Sequence, residues 1–457
     1  MKVLRQAKEN KKLVFLIVST AVFMLLAVIW VYHIKVLNAP KVYSDGFGYF
    51  VYLPAIIHND FTFSFVEGWE HPLSLNLVDG GLLNKYPVGV AIMESPFFFA
   101  AHLVSLLRDA ITGSFTATGY SNLYQYAILF GGIFYWIIGT IILYALLTRY
   151  LHFSKNVSVI ACALITYATN LFHYAAYDAC FSHIYSYALY NIFLYYLCWY
   201  EEREVHNHEK NKLYQTCIFG LLAGLIFMVR NTNIIFVVTY IFYGVRDWST
   251  FKQRIRKIIA PKRAIPIVIT GFITLLPQLC YWHAITGKWF VYSYGSNEPF
   301  YWGKPQIGNF LFSVRKGLLF WCPILLLAII GMIYAYKRRQ QLYTGLIIFI
   351  VLILYISSAW WCWYYGGSFG QRVAVDFIGV FAIFIAYLYS YIEKQMVRGD
   401  KSLKFKMIQV GTYAYSGICL VWNLVCMFAY WYRILPSDKA TWATVGNILE
   451  WVGSLFS

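Results

Sequence analysis

Charge is what this chain has least of. Only 12% of its 457 residues are charged, against 60% that are hydrophobic. Runs of about 20 apolar residues follow one another, long enough to cross the hydrocarbon core of a bilayer. A soluble chain has nowhere to hide that much apolar surface, so a soluble enzyme is excluded. The nine cysteines show no paired spacing and no CxxC. Most fall inside apolar runs, where a free thiol behaves as a small hydrophobe, so neither a disulfide framework nor a metal cluster is expected. A glycine-rich phosphate loop is also missing, as is any other nucleotide-binding signature. No cofactor is expected, and the spacing of ligand-type residues predicts no metal site or divalent cation.

What is there reads as an all-α polytopic membrane protein. Helices are expected near 13–33, 122–147, 156–174, 183–200, 213–229, 232–245, 264–284, 318–336, 342–359, 372–392 and 407–432, eleven spans in one transmembrane domain covering 1–457. The first run is too long for a signal-peptide core and is read as a retained helix. Aromatic residues make up 20% of the chain and gather near the ends of the runs, where Trp and Tyr suit the membrane interface. A further apolar segment, 88–107, would invert everything downstream if it crossed. The positive-inside rule decides against that. Without it, segments 1–12, 148–155, 201–212, 246–263, 337–341 and 393–406 share one face and hold 25 of the 37 Lys and Arg. Counting 88–107 would put "RDWSTFKQRIRKIIAPKR" on the outer side. The segment is therefore expected at the outer interface, inside a long first external loop, 34–121. The N-terminus is expected in the cytoplasm, and the net charge of +17 reflects orientation and implies no nucleic-acid partner.

The external stretches collect the polar chemistry. The loop 34–121 carries Asp45, Asp60, Glu67, Glu70, Asp79, Lys85 and Glu94. Loop 285–317 carries Glu298 and the pair Arg315 and Lys316, and loop 360–371, "WWCWYYGGSFGQ", runs into Arg372. The turn "HYAAYDACFSH" adds His173, Asp178 and His183, and Arg230 joins two short helices. The tail 433–457 is short and external. ATP and nucleotide sugars are not supplied on that face, so an enzyme there would draw an activated substrate from the membrane. Polyprenyl-phosphate sugars fit. Sugar transfer from them needs a carboxylate to take the acceptor's proton and cations to hold the departing phosphate. Phosphate leaves without a proton, so no second carboxylic acid is required.

Several stretches carry a resemblance: "SDGFGYFVYLPAI", "NKYPVGVAIMESPF", "YDACFSHIYSYAL", "GLLAGLIFMVRNTNIIF", "FLFSVRKGLLFWCPILLLAIIG" and "WWCWYYGGSFGQR". In order and spacing they resemble the GT-C glycosyltransferases, among them bacterial dolichyl-phosphate-mannose mannosyltransferase-like and aminoarabinose-transferase-like proteins of the family 39 kind. The resemblance implies that the acid of the first external loop, Asp45, is the catalytic base. It implies interfacial helices in that loop. It maps Lys85 onto a basic-proline element near the donor phosphate, although "KYPVG" lacks the family's double proline. The large external C-terminal domain of some relatives is not expected, which leaves acceptor recognition to the loops.

Each candidate has a plainer alternative. Ser-Asp-Gly is ordinary turn chemistry, but an acid beside a membrane is commonly functional, so Asp45 is taken as the base. Asp178 is a second catalytic candidate, with His183 as its hydrogen-bonding partner; the alternative is a polar turn. Lys85, Arg230, Arg315, Lys316 and Arg372 are candidates for the donor phosphate. Their alternatives are snorkelling anchors and structural ion pairs. Arg372 and Asp376 are spaced for an i,i+4 salt bridge. Tyr49, Tyr86, Glu94, His183, Glu298 and Trp363 are candidate substrate contacts, with Glu94 expected to point into the cavity. Expected partners are a polyprenyl-phosphate-linked sugar, a glycan, lipid or protein acceptor, and membrane lipids, in a bacterial cytoplasmic membrane. A lipid-linked-glycan flippase or transporter would carry internal repeats, an O-antigen ligase would carry its long loop late in the chain, and a scaffold would not need the external cations.

Overall fold

A computed structural model describes residues 9–31, 41–66, 75–78, 81–206, 212–295, 298–338 and 340–455. Glu67, Glu70 and Asp79 lie outside the described residues. In chain order the helices are α1 (Lys11–Ile29), α2 (Ser44–Phe50), α3 (Tyr52–His58), α4 (Gly89–Thr112), α5 (Asn122–Ala145), α6 (Lys155–Tyr167), α7 (Leu171–Ala176) and α8 (Ser182–His206). They continue with α9 (Leu213–Val229), α10 (Val238–Ile241), α11 (Trp248–Ile259), α12 (Pro261–Thr286), α13 (Ile307–Phe312) and α14 (Leu318–Trp321). The last are α15 (Leu325–Arg338), α16 (Tyr343–Ala359), α17 (Ile378–Val397), α18 (Leu403–Trp431) and α19 (Trp442–Ser454). Short 3₁₀ stretches, Asn231–Val237 and Arg372–Phe377, lead into α10 and α17.

Each of the eleven expected spans is helical over most of its length. Among the described residues, six helices are long and apolar enough to cross a bilayer. Five fall on expected spans: α1, α5 with its π-helical extension to Tyr150, α12, α17 with its 3₁₀ entry, and α18. The sixth is α4, which covers the ambiguous segment 88–107 and runs on to Thr112. Its contacts with α5 lie at one end of that helix. The Tyr135 hydroxyl donates to Met93 O, the Phe97 ring sits against Gly131, and the Phe98 and Tyr124 rings are 5.0 Å apart. So α4 runs back along the half of α5 that begins at Asn122.

Several of the other expected spans are broken, and the breaks meet. Asn170, in the gap between α6 and α7, donates through Nδ2 to Phe369 O and Gln371 O. Arg230, the extended residue after α9, reaches Asp376 in the 3₁₀ entry to α17. Gly89 opens α4 directly against the end of α9, where a Cβ would lie 2.3 Å from the Met228 carbonyl carbon. Only glycine lets the two helices meet there. This meeting of broken helices defines the site end of the bundle.

At the opposite, basic end, Glu201 of α8 pairs with Arg254 at 2.8 Å, Lys257 at 2.7 Å and Arg263 at 3.0 Å. Arg254 also donates to Tyr240 O. The core between the ends is apolar and aromatic, with α17 buried in it from Ile378 to Ser390. The chain departs from all-α in one place among the described residues, the antiparallel hairpin of β1 (Leu75–Val78) and β2 (Gly81–Asn84), with an isolated bridge between Phe300 and Trp360.

Candidate active site

Asp45 sits in the first turn of α2, after Ser44 in the left-handed region at φ 50°. Both of its oxygens are engaged. Tyr86 donates its hydroxyl to Oδ1 at 2.5 Å, and Arg372 Nη1 lies 2.8 Å from Oδ2. The Asp45 side chain is still 26% exposed, more than the 14% of Arg372. Burial pushes the Asp45 carboxyl up. The Arg372 guanidinium, the Tyr86 hydroxyl, Lys85 and His183 together outweigh it and hold the carboxyl below the usual range. Asn84, at the end of β2, sets this corner: its Nδ2 donates to Gly48 O at 2.6 Å and its Oδ1 accepts from Tyr86 N at 3.0 Å.

Tyrosines line the approach. Tyr49 and Tyr86 have ring centroids 4.6 Å apart, and Tyr294 meets Tyr86 edge-on at 6.2 Å. Lys85 Nζ hangs between the Tyr86 and Tyr294 rings, at 5.3 and 5.6 Å, and pairs with Glu298 at 3.1 Å. Arg230 lies 5.2 Å over the Tyr365 ring and 3.3 Å from Asp376 Oδ2. His183 donates through Nδ1 to the other oxygen of Asp376 at 2.7 Å.

The loop 360–371 delivers Arg372. Gly366 and Gly370 sit at φ 66° and 58°, which is why this turn is glycine-rich. Its carbonyls are pinned from behind by Asn170, by the Tyr174 hydroxyl on Phe369 O, and by Lys316 Nζ on Ser368 O, with Ser437 O as that ammonium's second acceptor.

Several expectations are corrected here. Arg372 does not pair with Asp376. Residues 372–377 form a 3₁₀ helix of three residues per turn, so i and i+4 point a third of a turn apart. Arg372 goes to Asp45, and Asp376 takes Arg230 and His183. His183 is accordingly not the partner of Asp178. Asp178 is 2% exposed, with one oxygen accepting from Tyr43 at 2.6 Å and the other from His173 Nε2 at 2.9 Å. Trp431 donates its indole N–H to His173 Nδ1, which fixes the proton on Nε2. That closed chain ties α7 to α18 and leaves Asp178 no free oxygen.

Lys316 is 2% exposed between two carbonyls, so it faces no external anion; burial pulls its ammonium down to about 7. Arg315 forms a two-point pair with Asp438, both contacts 2.8 Å, and lies 3.3 Å over Tyr364. Glu94 points into the packing of α4 on α8, fully buried, with Oε1 accepting from Tyr185 at 3.0 Å, and away from any opening. Trp363 enters the network through its carbonyl, which accepts from Gln371. The structure thus joins Asp45, Lys85, Tyr49, Tyr86, Glu298, Arg230, His183 and Arg372, and it leaves out Asp178, Glu94, Arg315 and Lys316.

The sequence reading missed Tyr294, Tyr365 and the role of Asp376. Among 40 tyrosines nothing local marks those two. Asp376 was visible beside Arg372 but was given the wrong partner. No group of three or more His, Cys, Asp and Glu side chains positioned to hold a metal occurs among the described residues.

No protein-family model and no curated protein matches the chain. Solved structures do. One is the archaeal oligosaccharyltransferase AglB from Archaeoglobus fulgidus in complex with an inhibitory peptide and a dolichol-phosphate, at TM-score 0.52 and 13% identity over 91% of this chain and 55% of that one. Another is the apo form of the Archaeoglobus fulgidus oligosaccharyltransferase, at TM-score 0.52 and 13% identity over 90% and 56%. The chain spans little more than half the length of these proteins. The likeness defines the fold class: this is an integral membrane protein with a GT-C-like fold.

Proposed function

We propose that this chain is a membrane glycosyltransferase that moves a sugar from a polyprenyl-phosphate carrier to an acceptor hydroxyl at the external face. One observation carries the reading. A partly exposed acid, Asp45, paired with Arg372, shares a tyrosine-lined site with Lys85, its partner Glu298 and Arg230, at the end of the bundle opposite the basic loops. The dolichol-phosphate and inhibitory peptide bound to the AglB neighbour are consistent with a lipid-borne donor.

In the reaction, Asp45 takes the proton of the acceptor hydroxyl as its oxygen bonds to the anomeric carbon. The bond from that carbon to the phosphate oxygen breaks, and its electrons leave with the polyprenyl phosphate. Arg372, Lys85 and Arg230 stabilise the charge that grows on the phosphate. A single displacement inverts the anomeric centre. Tyr86 orients the carboxylate, while Tyr49 and Tyr294 supply ring faces. The basic end faces the cytoplasm, and α4 rides along the outer half of the bundle without crossing it.

The test is release of free polyprenyl phosphate from a panel of polyprenyl-phosphate sugars by the protein in nanodiscs with candidate acceptors. Wild type is expected to release it, and a folded Asp45→Asn to lose about 10²–10⁴-fold in rate. Release at the wild-type rate by Asp45→Asn overturns the role of Asp45, and no release across the panel overturns the donor class.

A further inference from the structure

We propose that Arg372 is a donor-sensing residue: the donor's phosphate takes its guanidinium away from Asp45, so the base is freed only after the lipid donor has bound. The inference rests on the glycosyl-transfer reading and adds to it an order of events.

Each oxygen of Asp45 already holds a partner, and both partners lower the carboxylate's affinity for a proton. Tyr86 holds Oδ1 at 2.5 Å and Arg372 holds Oδ2 at 2.8 Å. An acceptor hydroxyl has to hydrogen-bond one of those oxygens before it can lose its proton. Arg372 is the partner that can leave. It spends Nη1 on Asp45, while its Nε is buried without a hydrogen-bond partner among the described residues. A buried donor left unsatisfied costs about 1–3 kcal/mol. The donor's phosphodiester arriving at that edge satisfies Nε, and its two free oxygens offer the forked geometry that guanidinium groups prefer.

Arg230 shows what a pair that does not exchange looks like. Its acid, Asp376, is 1% exposed and is held from the other side by His183. Asp45 has the Tyr86 hydroxyl where Asp376 has an imidazole, and it stands 26% exposed. The charged and titratable groups around Asp45 are Arg372, Tyr86, Lys85 and His183, with Tyr49 and Tyr294 close enough to feel its charge. Of the groups that hold its carboxyl down, Arg372 is the strongest. Moving that guanidinium onto phosphate raises the carboxyl's affinity for a proton at the moment when the acceptor supplies one. Without donor the base is masked, and water in the opening is not activated.

The exchange makes a counter-intuitive prediction, because removing the base should improve donor-phosphate binding. Polyprenyl phosphate and inorganic phosphate are titrated separately into wild type, Asp45→Asn, Arg372→Gln and the double variant, each in phosphatidylcholine nanodiscs with thermal unfolding checked. Asp45→Asn is expected to bind polyprenyl phosphate about fivefold or more tightly than wild type, the size of one partly exposed ion pair no longer competing. Arg372→Gln is expected to bind more weakly, and in the double variant the gain disappears. A gain shared by inorganic phosphate assigns the exchange to the phosphate group itself, and a gain confined to polyprenyl phosphate assigns it to the lipid-borne form. Binding that is unchanged or weakened in Asp45→Asn, or a gain that persists without Arg372, overturns the exchange and leaves the transferase reading standing. Absence of binding by either probe to all four proteins overturns both.

Discussion

The two ends of the bundle both hold acids against arginines, yet they are built to opposite purposes. At the basic end Glu201 is 3% exposed and carries Arg254, Lys257 and Arg263, and Lys257 and Arg263 also reach Glu204. Cations there outnumber acids, and the guanidinium of Arg254 is further occupied by the Tyr240 carbonyl. At the site end Asp45 has one cation and one hydroxyl and remains a quarter exposed. Composition hardly separates the two clusters. What separates them is the acid's own reach: Glu201 is 3% exposed beneath its three cations, whereas Asp45 stands 26% exposed beside an arginine whose Nε is buried without a hydrogen-bond partner among the described residues. Cations at the basic end also follow from membrane orientation alone, whereas Arg230 and Arg372 need another reason to be where they are.

Exchanging the damage between the ends is the strongest way to break this comparison. Asp45→Asn is expected to remove about 10³-fold of the transfer rate while thermal unfolding stays close to wild type. Glu201→Gln is expected to do the reverse. It breaks a buried ion pair at about 3–5 kcal/mol and lowers the melting temperature, while the rate per folded molecule survives. Measuring both properties on the same preparations decides it, and a large rate loss in Glu201→Gln would erase the distinction.

Arg230 offers the next largest effect. Arg230→Gln strips one donor from the growing phosphate charge, a loss of roughly 10²-fold, and it is expected in kcat more than in KM. An effect confined to KM would place Arg230 in ground-state binding.

The pH profile sharpens the comparison further. Burial raises the Asp45 carboxyl, but Arg372 and its neighbours hold it below its ordinary value of 3.8. The acid limb of kcat/KM for the donor, which reports the free protein, is therefore expected below that value, with activity kept above it and lost as pH falls through it. At saturating donor the limb of kcat should move up, and Arg372→Gln should move the free-protein limb up as well. Coincident limbs in all three would disconnect Arg372 from the base.

The smallest effect belongs to Arg315 and Asp438. Both side chains are 27% exposed, so a double-mutant cycle on unfolding is expected to give about 0.5–1 kcal/mol. The transfer rate should change little, because the pair braces the loop from outside. A large rate loss would return Arg315 to the phosphate site.

Much of the fold was legible because lipid imposes a one-dimensional code. Every crossing segment must be long and apolar, and loop charge reports the side. The break inside 156–174 was harder, since α6 stops short of Asn170, whose side chain turns to the loop carbonyls of Phe369 and Gln371. Asp45 and Lys85 stood out as polar residues beside apolar runs, and they do share the opening. Arg315 and Lys316 stood out in the same way and do not, since local sequence carries no record of Asp438 or of the Ser437 carbonyl that occupy them.

By itself, then, the sequence determined an all-α membrane chain, the basic face of its bundle, and a short inventory of acids and cations at the other end. Hydropathy and charge are properties of each segment, and they survive without knowing any neighbour. The pairings were decided only by the tertiary structure: Arg372 with Asp45, Arg230 and His183 with Asp376, Tyr86 on the base. Each depends on how one helix is rotated against another and on whether a turn is 3₁₀ or α, and those are set by packing between residues far apart in the chain.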